Sequence, residues 1–267
     1  PETVTVVKND MRDGSADFDF SNLTFSQVGT YKFTVNEVAD DHGTETADGS
    51  GMTYDPNIAT VTVKVSDNHD GKLKAEVTYS NDRHTDTTNK ALFANSYEAS
   101  MNYGAEGKGG INVTKQMLDR PMDNNEFSFT IAGADSDTVK ADEANAKLAE
   151  ADKSFQNTAA AEDTTATMAK LQNVSFDEGD AGKTFSYIVS ETIPVDGDKL
   201  PNVTYDQSQY RVDIQVVDNG DSTMHTVTTV TKVKNSDGTE ASEVVVDAAN
   251  SDADDYAIPT FGFVNDY

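Results

Sequence analysis

The chain has no cysteine, no tryptophan and only 6 prolines in 267 residues. Without cysteine it can form neither a disulfide nor a thiolate metal site, so any internal staple must come from other chemistry. Basic residues are also scarce, 20 against 47 acidic ones, for a net charge of −27. Such a surface repels the phosphates of nucleic acid and of anionic membranes, which argues against both as partners. No apolar run approaches the roughly 20 residues that a spanning helix needs. No secretory leader pattern is present, and the chain reads as a piece of something longer. Acidic loops could hold a divalent cation, with D-N-H-D-G at 67–71 and S-D-A-D-D-Y at 251–256 as the best candidates. Neither has the alternating ligands and distal glutamate of a calcium loop, so no metal or cofactor is expected. His42, His69, His84 and His225 each stand apart from any nucleophile motif, which gives a turnover enzyme no foothold.

What is present is a repeat. N-L-T-F at 22–25 returns as N-V-S-F at 173–176, and T-Y-D at 53–55 returns at 204–206. A-T-V-T-V-K-V-S-D-N at 59–68 returns as Y-R-V-D-I-Q-V-V-D-N at 210–219, and F-A-N-S-Y at 93–97 as F-V-N-D-Y at 263–267. The repeat divides the chain into domains over 1–103 and 111–267, joined by a glycine-rich linker at 104–110. β-branched alternation with Asp, Asn and Gly punctuation predicts an all-β protein of two tandem antiparallel β-sandwiches. Only 36% of residues are hydrophobic, so their cores must be lean. Residues 140–153 are rich in alanine and lysine, which predicts a short surface helix inserted in the second domain. The T-A-A-A-E-D-T-T-A-T tract that follows, 158–167, reads as loop.

Strand alternation puts unexpected residues on apolar faces. Ile111, Val113, Lys115 and Met117 share a face, as do Phe185, Tyr187, Val189 and Glu191. Phe263, Asn265 and Tyr267 share a third. In the first half Tyr31, Phe33, Val35 and Glu37 line up, as do Phe93, Asn95 and Tyr97. Buried charge is costly, so a lysine, a glutamate and an asparagine aimed inward suggest chemistry with one another. By spacing alone, Lys115 could equally snorkel at a strand end in a salt bridge with Glu191, leaving Asn265 as a turn residue.

The ordered set V-T-K (113–115), F-S-Y-I-V-S-E (185–191) and F-V-N-D-Y (263–267) resembles the Gram-positive pilin isopeptide-linkage family, the domains of streptococcal pilus backbones and adhesin stalks. The resemblance covers nearly the whole chain. It implies an autocatalytic intramolecular bond in which Lys115 is the nucleophile, Asn265 the electrophile and Glu191 the acid/base that polarises the amide oxygen and shuttles protons. Burial would neutralise the lysine and keep the glutamic acid protonated.

The first domain has Glu37 and Asn95, but its lysine is ambiguous. Lys8 is in phase with Val4 and Val6; alternatively the lysine strand precedes Pro1, and the domain lacks its first strand. The resemblance implies a structural stalk or shaft of an extracellular, cell-wall-anchored protein. Its partners would be neighbouring repeats of the same protein and a host ligand bound by a tip domain elsewhere. The alternative is an adhesin module that itself binds a glycan or host protein.

Overall fold

The computed structural model of the chain describes residues 14–19, 23–38 and 51–267. It divides into two compact units, one of Pro1–Glu45 with Thr53–Asn95 and one of Thr46–Met52 with Ser96–Tyr267. The second unit thus begins before the expected linker.

In the first unit, strands β1 (Gly29–Asn36), β3 (Ile58–Asp67) and β4 (Leu73–Asn81) form an antiparallel sheet in the order β1-β3-β4, with a two-residue strand β2 (Met52–Thr53) before β3. β1 alternates as its sequence predicts, Tyr31, Phe33 and Val35 being half-buried and their neighbours exposed. Fully buried apolar side chains here are few among the described residues: Ala59, Val63 and Val65. One face of the sheet is therefore only partly covered by them.

The second unit opens with β5 (Ser96–Tyr97), β6 (Ser100–Tyr103) and β7 (Ile111–Met117), followed by β8 (Ser128–Gly133). Helices α1 (Thr138–Lys147) and α2 (Glu150–Lys153) lead into β9 (Ser154–Gln156), β10 (Thr165–Lys170), β11 (Val174–Asp177) and β12 (Thr184–Thr192). β13 (Gln209–Asp218), β14 (Met224–Lys234), β15 (Glu240–Asn250) and β16 (Thr260–Asn265) complete it. A six-stranded sheet, β15-β14-β13-β12-β8-β9, faces a three-stranded one, β10-β7-β16, and β11 pairs with β6. Rings join the two layers: Phe263 of β16 lies 5.4 Å from Phe129 of β8 and meets Tyr210 of β13 edge-on at 5.4 Å.

The β-rich, mainly antiparallel architecture agrees with the sequence reading. Three details differ. The tract read as loop at 158–167 supplies the start of β10, whose Ala166 stands opposite Lys115 on β7. Short side chains are needed there beside a long one, and their low apolar content hides the strand in the sequence. The Gly104–Gly110 stretch is a tight turn, closed by Gly104 N–H donating to Lys108 O at 2.8 Å and by Tyr103 Oη donating to Gly110 O at 3.1 Å. The helical insertion is docked, with Ala144 and Leu148 buried and Asn145 Oδ1 accepting from Gly133 N–H at 2.7 Å. No helix among the described residues is long and apolar enough to cross a membrane.

The unit's first and last long strands, β7 and β16, lie side by side and parallel, with Phe263 opposite Lys115 and Asn265 opposite Met117. An otherwise antiparallel fold admits this pair because the intervening chain crosses to the large sheet and back. Gly262 permits the approach: a Cβ there would sit 1.9 Å from Thr114 Oγ1 and 2.5 Å from Thr114 O. Gly262→Ala is therefore expected to push β16 off β7 and to cost about 1–3 kcal/mol, the usual range for overpacking. A lowered thermal midpoint of the full chain checks this, and an unchanged one would contradict it.

Candidate functional site

β7 carries Ile111, Val113, Lys115 and Met117 into the core, and all four are buried. β12 buries Phe185, Tyr187, Val189 and Glu191, and β16 buries Phe261, Phe263 and Asn265. Alternation thus aims a lysine, a glutamate and an asparagine from three strands in two sheets at one point. Lys115 and Asn265 are both 0% exposed. Tyr267 does not join them: it is 52% exposed, with the Arg120 guanidinium 5.2 Å from its ring centroid.

One carboxyl group spans the site. Lys115 Nζ donates to Glu191 Oε2 at 2.7 Å, and Asn265 Nδ2 donates to Glu191 Oε1 at 2.8 Å. The Phe127 ring lies 4.6 Å from Nζ, and Phe263 is its cross-strand neighbour. In this dry setting burial lowers the Lys115 pKa from its ordinary value, despite the opposing pull of Glu191. Burial likewise raises Glu191, despite Lys115. Both shifts move the pair toward a neutral amine beside a neutral acid.

The expectation that Glu191 holds the amide oxygen is not met. Asn265 Oδ1 accepts from the backbone N–H of Asp206 at 2.7 Å. That N–H can only donate, which fixes the oxygen on its side and leaves the amide nitrogen on Glu191. Asp206 is held in turn, its Oδ2 accepting from Val264 N–H at 2.7 Å and its Oδ1 from Ser208 N–H at 2.8 Å.

The first unit repeats this geometry. Asn95 Nδ2 donates to Glu37 Oε1 at 2.7 Å, and Asp55 N–H donates to Asn95 Oδ1 at 2.8 Å. Asp55 Oδ2 accepts from Ala94 N–H at 2.7 Å and its Oδ1 from Asn57 N–H at 2.9 Å. Two differences stand out. Glu37 Oε2, the counterpart of the oxygen that holds Lys115, is buried with no hydrogen-bond partner among the described residues. And His84 Nε2 lies 2.5 Å from Asp55 Oδ2. Burial alone would raise the Asp55 pKa, but the His84 ring and the N–H groups of Ala94 and Asn57 outweigh it and hold the carboxyl below its ordinary value. Lys8 and His42 lie outside the described residues.

Asp55 and Asp206 were missed as site residues by the sequence reading. Their signal was in view, since each ends a T-Y-D repeat. Nothing in the sequence said that this loop reaches the closing strand. In the loop at 67–71, Asp67 and Asp70 accept instead from the backbone N–H groups of His69 and Lys72. No cluster of three metal-ligating side chains occurs among the described residues.

Comparison with known proteins adds a family. The FctA sequence profile, described as a Spy0128-like isopeptide containing domain, matches residues 1–98 and 111–267. No curated protein matches the chain. Solved structures similar to it include a mutant of the major pilin of Streptococcus pyogenes, at 17% identity over 59% of this chain and 50% of that one, with a TM-score of 0.27. The T-13 major pilin of the same species is also 17% identical, over 92% of this chain and 69% of that one, with a TM-score of 0.25. A second mutant of the major pilin is 17% identical over 93% and 74%, with a TM-score of 0.23. The chain spans half the length of the first of these.

Proposed function

The chain belongs to the Spy0128-like isopeptide containing domain family, and from that premise we propose that it is a shaft segment of a Gram-positive surface pilin or adhesin whose second unit staples itself through a bond between Lys115 Nζ and Asn265 Cγ. The observation that carries this is the Glu191 carboxyl, with the amine on one oxygen and the carboxamide nitrogen on the other. The neutral amine attacks Cγ. Its proton passes to Glu191 Oε2, and the proton of the acid passes from Oε1 to Nδ2. Ammonia leaves, an amide remains, and the carboxyl ends as it began. Folding supplies the proximity, which can be worth roughly 7–11 kcal/mol. The reaction turns over once, so the chain is a structural element rather than an enzyme.

The bond would tie the first long strand of the second unit to its last. β7 and β16 are parallel neighbours, so tension on the two ends of the unit pulls the strands past one another. A link between Lys115 and Asn265 carries that load, and the chain between them is bypassed. The shaft lies outside the cell and is joined to the wall, with further subunits as its partners.

Intact mass of the full chain is expected to fall short of the sequence mass by one ammonia, and peptide mapping to find Lys115 joined to Asn265. A second lost ammonia would mean that the first unit also closes, with Lys8 the candidate amine. Glu191→Ala is expected to fold and to keep the full mass. Complete cross-linking in that variant would remove Glu191 from the mechanism.

The rate has a signed pH dependence. Lys115 is held below its ordinary pKa and Glu191 above, so the reactive pair shares a proton over the middle of the range. Acid charges the amine and base strips the carboxyl. Bond formation during refolding of unfolded chain, followed by mass, is expected to slow on both sides of a central optimum. A rate that only rises with pH would show that the acid form of Glu191 is not needed.

The bond closes a loop of about 150 residues, worth about 5 kcal/mol in the chain-entropy view. Lys115→Ala is therefore expected to lower the thermal midpoint by roughly 10–20 °C. It is also expected to let the second unit extend fully in a pulling experiment. Full extension of the unsubstituted unit as well would refute the load-bearing role.

A further inference from the structure

The two sites share one element that Lys, Glu and Asn do not account for. In both, the aspartate of T-Y-D gives its backbone N–H to the carboxamide oxygen, and its carboxylate binds two further N–H groups. We propose that Asp206 completes the reaction site of the second unit: its backbone N–H takes up the charge that develops on the Asn265 carboxamide oxygen, and its carboxylate is a positioning group that aims this N–H, a geometry that Asp55 repeats in the first unit. The proposal rests on the isopeptide reading of the sites.

Backbone register explains the arrangement in the second unit. Thr204 and Asp266 form an antiparallel bridge, with N–H to O distances of 2.8 and 3.1 Å in the two directions. Two residues on, Asp206 comes beside Val264. There the ladder continues through the aspartate's side chain, since Asp206 Oδ2 takes the Val264 N–H at 2.7 Å. This frees the Asp206 N–H from strand pairing and leaves it aimed at Asn265 Oδ1. The second carboxylate oxygen takes the Ser208 N–H and closes a turn over the same residue, as aspartate side chains do. Asp206 is only 5% exposed, so water does not compete for these donors.

The consequence is chemical. When Lys115 Nζ bonds to Asn265 Cγ, the carbonyl π pair moves onto Oδ1. It returns as the C–N bond breaks and ammonia leaves. A fixed N–H at 2.7 Å is ready for the charged oxygen without reorganisation, and it transfers no proton. Glu191 is then free to serve the two nitrogens, which is where the structure puts it. The first unit repeats the device with Asp55, Ala94 and Asn57, although its asparagine is exposed and its Asp55 Oδ2 also meets His84. The same three hydrogen bonds in an open site and a closed one are not explained by packing alone.

The test separates aim from fold. Full-length chain carrying Asp206→Asn or Asp206→Ala is refolded from denaturant, and loss of ammonia is timed by intact mass. A misaimed oxyanion donor is expected to slow the second unit's bond at least about tenfold, the alanine variant more than the asparagine one. Each substitution is also placed in the Lys115→Ala chain, where no bond can form in that unit. There the thermal midpoint is expected to stay well above the refolding temperature, so that slow bonding reports chemistry rather than lost structure. Bonding by Asp206→Ala at the rate of the unsubstituted chain would overturn the proposal. So would a midpoint, in both Lys115→Ala doubles, that falls below the refolding temperature, because the slow rate would then only track unfolding. Loss of the bond in the unsubstituted chain would instead refute the isopeptide reading itself.

Discussion

The second unit is arranged around one buried carboxyl group. Glu191 comes from the large sheet, while the lysine and asparagine it holds come from two strands of the small one. A carboxylate and an ammonium away from water are a liability unless paired, and even a pair repays its desolvation poorly. Burial resolves this by pushing both groups toward neutrality. A lysine, a glutamate and a carboxamide are thereby confined together, with ring faces in place of water.

That arrangement constrains the rest of the unit. The small sheet must bring its first and last strands together in parallel, which requires a glycine at 262 where Thr114 comes closest. β10 must flank the lysine with small residues, as Ala166 does. The T-Y-D loop must come back to the end of β16, which the Thr204–Asp266 bridge secures. Each feature is weak alone. Together they locate three side chains to within hydrogen-bond distance, the precision that proximity effects demand.

The first unit makes the same constraint visible by contrast. Its Glu37, Asn95 and Asp55 repeat the hydrogen bonds of the second site, yet one oxygen of Glu37 is buried and unpartnered among the described residues. A buried acceptor without a donor costs roughly 1–3 kcal/mol. Asn95 is exposed where Asn265 is sealed, and among the described residues of that unit the buried apolar set is Ala59, Val63 and Val65. The acid and the carboxamide are nevertheless joined to each other and to the Asp55 N–H, as their counterparts are in the second unit.

Much of this was legible in the sequence. Period-two alternation named Lys115, Glu191 and Asn265 as inward residues, because a strand offers a side chain only two faces. The internal repeat marked two related halves, because each half closes on the same phrase. Tertiary structure alone decided the rest. The sequence could not say that Thr165–Thr167 is a strand, since alanine and threonine there are chosen to fit beside a lysine rather than for their own burial. It could not say which atom of Asn265 faces Glu191, since that follows from a backbone donor 59 residues away in the chain. Nor could it assign Asp206 and Asp55 a place in the sites. An aspartate after a tyrosine looks like any turn residue, and only the return of its loop to the closing strand turns its backbone N–H toward the asparagine carboxamide.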